Sequence, residues 1–359
     1  MKRAVFNNEG SRFYQSVKTA VDEYFSRKKL LKTGNWELHI KAALFIPLAL
    51  FIYLYLLFGH YPPVGGILIS ISLGILLSLV AVNVMHDACH GSFSRKKWIN
   101  NLMGLTMNAL GSNAFIWKIK HNIIHHTYTN IDGIDNDISH WPVLRQSPTQ
   151  TWRPAHRYQY IYMFPLYCIS TLVWMLVADF SKYFSRRISS ATIKKISLQE
   201  HVLFWISKLL YGVFYILIPV LLLGWQNWLI GFLLLHVTMS FNLTIIFQLA
   251  HLVCNTHFEP AGKGLNKIET TWAVHEVMTT SNFATKNKWI SWFAGGLNFQ
   301  VEHHLFPCIS HVHYPAISNI VRNECERHHL PYHCYSSIGE AFFSHVRFMK
   351  MLGKGKKTK

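Results

Sequence analysis

The chain has 359 residues, half of them hydrophobic and 14% aromatic, with only 14% charged, whereas a soluble domain carries about 25% charged residues. Lys and Arg number 35 against 17 acidic residues, but no basic helix or recognisable module accompanies that excess, so nucleic acid is excluded as a partner. The six cysteines include no Cys-x-x-Cys pair, which sets aside zinc ribbons and redox couples and leaves reduced thiols.

Residues 1–41 are basic and amphipathic and are not expected to be a cleaved signal, since they hold no short apolar core before a small-residue cleavage site. Phe13, Val17, Val21, Tyr24 and Phe25 recur near helical spacing, which predicts a helix lying at the surface. Ala42–Phe58 and Val64–Met85 are apolar runs separated by a turn at Gly59–Pro63. Val202–Leu223 and Trp228–Ala250 repeat the arrangement around Gly224–Asn227. A helix needs roughly 20 residues to cross the hydrocarbon layer, so the first run is short and the others are ample. All but one of the 35 Lys and Arg residues, the exception being Lys208, fall outside these four runs and on one side of a four-span arrangement. The positive-inside rule makes that side cytoplasmic. The fold expected is all-α and integral to a membrane, with four transmembrane helices in two hairpins beneath a cytosolic helical cap. The divisions are an N-terminal segment 1–41, a membrane domain 42–335 and a basic C-terminal segment 336–359, with 353–359 read as a disordered tail. Of two further apolar stretches, 98–117 is expected to be interfacial or re-entrant and 158–177 to lie in the interface; Pro165 and the cluster Tyr158, Tyr160, Tyr162 and Tyr167 argue against a fifth crossing.

Three histidine-rich stretches carry the chemistry: His86-Asp87-Ala88-Cys89-His90, His121-Asn122-Ile123-Ile124-His125-His126, and Gln300-Val301-Glu302-His303-His304. With 22 histidines in the chain, one His-x-x-x-His pair is expected by chance, but not the whole set. His86 follows the second apolar run directly and His251 follows the fourth, so both helices deliver an imidazole to the same depth. Eight candidates result: His86, His90, His121, His125, His126, His251, His303 and His304. A single zinc takes about four ligands, so eight suit two metals. Neutral imidazole suits Zn, Cu, Fe and Ni. His-Glu-x-x-His is absent, which disfavours a zinc peptidase. Two redox metals at a membrane surface suit dioxygen activation against a C–H bond, and iron is the metal expected.

In their order and spacing these boxes, followed by Asn130-Ile131-Asp132-Gly133-Ile134-Asp135-Asn136-Asp137, resemble the membrane fatty-acid desaturases, and the third box, headed by Gln300, is similar to front-end and bacterial linoleoyl-CoA desaturase-like members. The resemblance runs from about residue 40 to 335. It implies a mushroom-shaped protein with a cytosolic di-iron site held by those eight histidines, with Gln300 in a ligand's place. It implies dioxygen as co-substrate and a fatty acyl chain, as CoA thioester or lipid, as substrate. It also implies electrons from a separate ferredoxin or cytochrome b5 with its reductase, since no His-Pro-Gly-Gly signature or ferredoxin-like cysteines are present. A bacterial inner membrane, with the site on its cytoplasmic face, is the expected location. Some members place Asn one turn before the histidine matched to His251; here that residue is Phe247.

The other histidines are read as surface or satisfied core groups. Asp87 is either a partner that orients an imidazole or a solvated helix-end acid. Asp132, Asp135 and Asp137 are expected to cap turns. Trp117 and Trp141 are read as interface anchors, with a tunnel-lining role as the alternative. A hydroxylase on the same scaffold and a membrane metal transporter are the rival functions.

Overall fold

A computed structural model of the chain describes residues 4–7, 12–138, 142–189, 191–259 and 267–355. The N-terminal amphipathic pattern becomes α1 (Arg12–Lys28). Its stripe of Phe13, Val17, Val21 and Phe25 is buried against Ile317, Val321 and Cys325 of a later helix, Tyr314–Arg327. That contact is a protein core, and each such side chain contributes roughly 1.5–3 kcal/mol when fully buried.

Four helices are long and apolar enough to cross a membrane: α2 (Trp36–Phe58), α3 (Pro63–Cys89), and, further on, Leu198–Leu223 and Trp225–His251. Each is longer than its apolar run. Helix α2 starts at Trp36 because Asn35 caps it, its side chain accepting from the backbone N–H groups of Glu37 and Leu38. The first span is therefore 23 residues long, and the expectation that it is short is corrected. The boundary at residue 41 falls inside this helix. Lys41 lies buried within α2, so Lys208 is not the only cation in a span. Its ammonium donates to Asn83 Oδ1 at 2.8 Å and to the Trp292 carbonyl at 3.1 Å. Lys208 is satisfied in the same manner, by the carbonyls of Gly111 and Met175 and by Asp179 at 2.9 Å.

Between α3 and the third long helix the chain is broken into short pieces. Residues 97–104, 106–109 and 114–118 are separate helical turns; the last runs on into a π-helical segment to His125, and 114–125 is α4 here. Next come α5 (Pro154–Cys168) and α6 (Ser170–Ser185), which meet at a bend of 66°. The apolar stretch at 158–177 is thus broken at Ile169 instead of forming one straight helix. The third and fourth long helices are α7 (Leu198–Leu223) and α8 (Trp225–His251). After them follow α9 (Trp272–Thr279), α10 (Gln300–Leu305), α11 (Tyr314–Arg327) and α12 (Ile338–Gly353). The basic C-terminal segment is therefore helical over 338–353, and its apolar face, Ala341, Phe348, Met349 and Leu352, is buried. Among the described residues the strands are two-residue pairings only, such as Asn282–Phe283 with Cys334–Tyr335, so the all-α expectation needs only that small amendment.

Helix α3 packs along both α2 and α8. The approach to α8 is close: a Cβ on Gly74 would lie 2.6 Å from the Leu235 carbonyl oxygen. Lys41, Asn83 and Trp292 tie α2 and α3 to the segment after α9. The outward faces of α2 and α7 are apolar and exposed, including Leu50, Phe51, Leu217 and Leu221, as expected of helices solvated by lipid. All six cysteines are free thiols.

Candidate metal centre

The three histidine stretches and His251 meet above the ends of α3 and α8. Two distortions of helical geometry set their directions. Residues 81–85 of α3 and 119–125 of α4 are π-helical, and π turns concentrate at functional sites. In α4 the backbone N–H of His126 bonds to the carbonyl of His121. That wider i→i+5 turn brings His126 beneath His121, where an α-helix would carry it away; His125 stays on the same side.

The eight imidazoles sort into two groups. His86, His90, His121 and His303 place one ligand atom each within 4.8 Å of one another, and so do His125, His251 and His304. His126 forms a third such set with His303 and His304, and His121, His125 and Asp137 form a fourth, so the two groups adjoin through His126 and along the His121–His125 edge. His121 Nε2 lies 3.3 Å from His86 Nε2 and 3.2 Å from His126 Nε2. One ring nitrogen can serve only one of these contacts as a hydrogen bond. Nitrogens forced together in this way are what a shared cation stabilises.

Buried, unpartnered polar atoms test the fit independently. His90 Nε2, His125 Nε2, His303 Nε2 and His304 Nε2 have no hydrogen-bond partner, and His251 faces the Gln300 side chain and the Thr279 backbone. Buried polar atoms are otherwise satisfied in folded proteins. For three of these rings the opposite nitrogen is held: His125 Nδ1 lies 3.1 Å from Asp135, His304 Nδ1 lies 2.7 Å from Glu276, and His303 Nδ1 lies 3.0 Å from the Tyr314 hydroxyl. An imidazole bonded at Nδ1 and bare at Nε2 is the usual form of a metal ligand. The donor set therefore fits two metal ions.

Electrostatics agree. Burial, and then the neighbouring imidazoles, holds His90, His121, His126, His303 and His304 well below the ordinary histidine range, so their rings are neutral. Burial also pushes the Glu276 carboxyl well above its usual range. For His125 burial opposes charge, but the Asp135 carboxylate outweighs it and raises the ring's affinity for a proton. A metal ion would take that proton's place on Nε2.

Sequence reasoning marked all eight histidines and Gln300, and they lie together here. It missed Glu276, Tyr314 and His311. Glu276 is a lone acid on a short apolar helix, with no spacing to distinguish it. Asp87, left open between two roles, bonds Ser310 Oγ at 2.6 Å and pairs with His311 Nδ1 at 3.1 Å, while His86 Nδ1 is 4.0 Å away. Asp135 does cap a turn, accepting from the backbone of Asn130 and Asp137; it also holds His125. Asp132 instead accepts from the side chains of Thr149 and Gln150 in a separate loop, and Asp137 pairs with Lys120 and lies 3.7 Å from His125 Nδ1. Trp117 stacks on His121, with ring centroids 4.4 Å apart. Trp141 and His140 lie outside the described residues. Phe247 packs against His125 and His251 at 5.1 and 4.7 Å.

A cavity of about 300 Å³ opens onto the first group, reaching from Lys120 and Asp137 past His86, His121, His303 and Gln300 to Met107, Leu110 and Met239.

Comparison with known proteins gives these features a family. A family model described as fatty acid desaturase matches residues 61–336. The chain belongs to the fatty acid desaturase family. An sn-1 linoleoyl-lipid 6-desaturase of Synechocystis sp. is 32% identical over 350 residues, covering 95% of this chain and 96% of that one. One of the same name from Arthrospira platensis is 30% identical, covering 97% and 94%. An acyl-lipid (8-3)-desaturase of Physcomitrium patens is 32% identical over 353 residues, covering 96% and 72%. Membership of the desaturase family makes this chain an oxidoreductase of lipid metabolism and implies iron-dependent dioxygen chemistry. The four long apolar helices make it an integral membrane protein.

Proposed function

We propose that this desaturase inserts a cis double bond into the acyl chain of a membrane lipid, at a pair of iron ions held by His86, His90, His121, His125, His126, His251, His303 and His304, with Gln300 offering its amide oxygen. The convergence of these imidazoles into two groups is the observation that carries the reading. The lipid-linked substrate follows from the names of the relatives, which act on acyl lipids.

Iron bound there supplies the activation of dioxygen. In the overall reaction two adjacent methylenes lose two hydrogens, and dioxygen takes up these with two electrons and two protons to leave two waters. The protein's own residues supply position and dryness. Asp135, Glu276 and Tyr314 each hold one imidazole by its Nδ1. Trp117 fixes the plane of His121. The cavity walls Met85, Met107, Leu110, Trp174 and Met239 are apolar and align the chain, and a small misplacement there costs rate steeply. The electrons come from a separate ferredoxin or cytochrome b5 with its reductase.

The organisation proposed around the site is two helical hairpins, α2–α3 and α7–α8, below a cap that faces the cytoplasm. With the N-terminal boundary moved from 41 to the start of α2 at Trp36, the membrane domain runs to 335 and the segment 336–359 follows it, and the protein resides in a bacterial inner membrane. Helices α5 and α6 leave and rejoin the interface on one side, and their bend at Ile169 dips far enough beside α8 for Thr171 to reach His236 and Ser240.

Expression in a host without polyunsaturated lipids, followed by fatty-acid profiling, tests this directly; a new unsaturated acyl chain is expected. A lipid that gains a hydroxyl would favour a hydroxylase on the same scaffold. His125→Ala should lower bound iron and abolish product, and undiminished product would count against the ligand set.

A further inference from the structure

Among the described residues His236 is the one histidine deep within a membrane-spanning helix. It precedes His251 by about four turns of α8, about 22 Å along the axis, and it is fully buried. Both its ring nitrogens are engaged. Nε2 lies 2.6 Å from the Tyr211 hydroxyl of α7, and Nδ1 lies 3.1 Å from the Thr171 hydroxyl of α6. Thr171 also contacts Ser240 Oγ at 2.5 Å. Four polar side chains are thus spent at a depth where apolar packing would serve stability alone. Ionisable groups within spans mark function more often than structure, and a fully satisfied polar network makes a rigid wall.

This wall stands between two cavities. The cavity at the histidine site includes Thr171, Met175, Leu110 and Met239 in its lining. Beyond it a half-open apolar groove of about 590 Å³, between α2, α3 and α7, is lined by Tyr211, Leu77, Leu210 and Phe214. Leu110 has a face in both. Gly111, next to it, adopts a positive φ of 95°, and a Cβ there would lie 2.6 Å from the Tyr211 ring and 2.9 Å from Met175 Sδ. The ring is pressed against backbone and cannot be displaced by small adjustments. His236 fastens a residue of each cavity to the same point.

We infer that Leu110 and Thr171, backed by the Tyr211 ring that His236 holds, form the stop against which the methyl end of the acyl chain rests, so that Tyr211 sets the chain length the site accepts. The inference rests on the desaturase reading of the site. The space continues behind the stop, so removing the ring joins the two cavities and admits a longer chain. Filling the near side at Met239 shortens the usable space instead. One methylene in an apolar pocket changes selectivity by roughly tenfold or more, so the effect is large enough to measure.

The test is a competition between acyl chains of adjacent even-numbered lengths, supplied to a host expressing the full chain, with bound iron measured on the purified proteins. Tyr211→Ala should raise the ratio of longer-chain to standard product by about tenfold. Met239→Trp should move the ratio toward the shorter chain, and Tyr211→Phe, which keeps the ring, should stay near the original ratio. If one variant fails to accumulate, the other decides. Variants that bind iron and keep the original length ratio, or lose every length equally, overturn the inference. Absence of any desaturated product from the unaltered protein would instead sink the desaturase reading itself.

Discussion

An imidazole can hold a metal only through an unprotonated nitrogen, so what fixes the other nitrogen matters as much as the ligand. Asp135 and Glu276 do this for His125 and His304. Replacing such an outer partner costs roughly 10- to 100-fold in metal affinity or activity. Asp135→Asn should therefore lower bound iron per protein and desaturation in that range, read by metal analysis and lipid profiling on the same preparation. An unchanged iron content would mean that the His125 ring is held by packing alone. The histidines themselves were legible because their spacing is improbable by chance and because His86 and His251 sit at the ends of apolar runs. Their partners were not. Asp135 lies in a polar turn where capping explains it fully, and Glu276 reaches His304 across 28 residues of sequence, with no local pattern to mark it.

Elements bring the same residues to one place, and the crossing of α3 with α8 is the tightest of the joints involved. The Gly74 backbone contact with Leu235 and Thr238 leaves no room for a side chain. Overpacking of this kind costs about 1–3 kcal/mol. Gly74→Val should lower the melting temperature in detergent and release iron from both histidine groups, because α3 ends at one and α8 at the other; loss from neither would show that the cap holds the site without the crossing. A second joint is pH-dependent. His345 of α12 is buried between Tyr167, 3.0 Å away, and the Leu252 carbonyl, 2.7 Å away. Burial lowers its pKa to about 4. The ring is neutral in the folded state, whereas the unfolded chain takes up a proton below about 6.5. Stability from this group is thus complete above pH 6.5 and falls as pH drops toward 4, by up to about 3 kcal/mol. His345→Gln should flatten the acid limb of a melting-temperature profile; an identical limb would assign the acid sensitivity elsewhere. The four long helices were visible in hydropathy alone. The π turns at 81–85 and 119–125 were not, since no residue pattern separates i→i+5 from i→i+4 bonding. The helical nature of 338–353 was masked by its charge, although Ala341, His345, Phe348 and Leu352 line one buried face.

At the scale of the whole molecule the site itself constrains how the chain crosses lipid. His86 and His303 have ring centroids 4.6 Å apart, and His125 and His251 are 4.8 Å apart. The segment 86–138 before α5 and the segment 251–355 after α8 must therefore share one face of the bilayer. With α7 and α8 crossing as a pair, that condition holds only if α5 and α6 together return to the face they left, and the 66° bend between them allows it. Basic residues outside the spans then fall on the same face as the histidines, the face proposed above to be cytoplasmic by the positive-inside rule. The two turns, near His60 and near Asn227, fall on the other. In a version of the protein without its native cysteines, His60→Cys and Asn227→Cys should react with an impermeant thiol reagent from outside intact cells. Restored Cys308, which is exposed, should react only after the inner face is opened. Labelling of Cys308 from outside, or of only one of the two turns, would mean that α5 and α6 form a fifth crossing. The histidines at 121–126 and 303–304 could not then serve one site in the membrane.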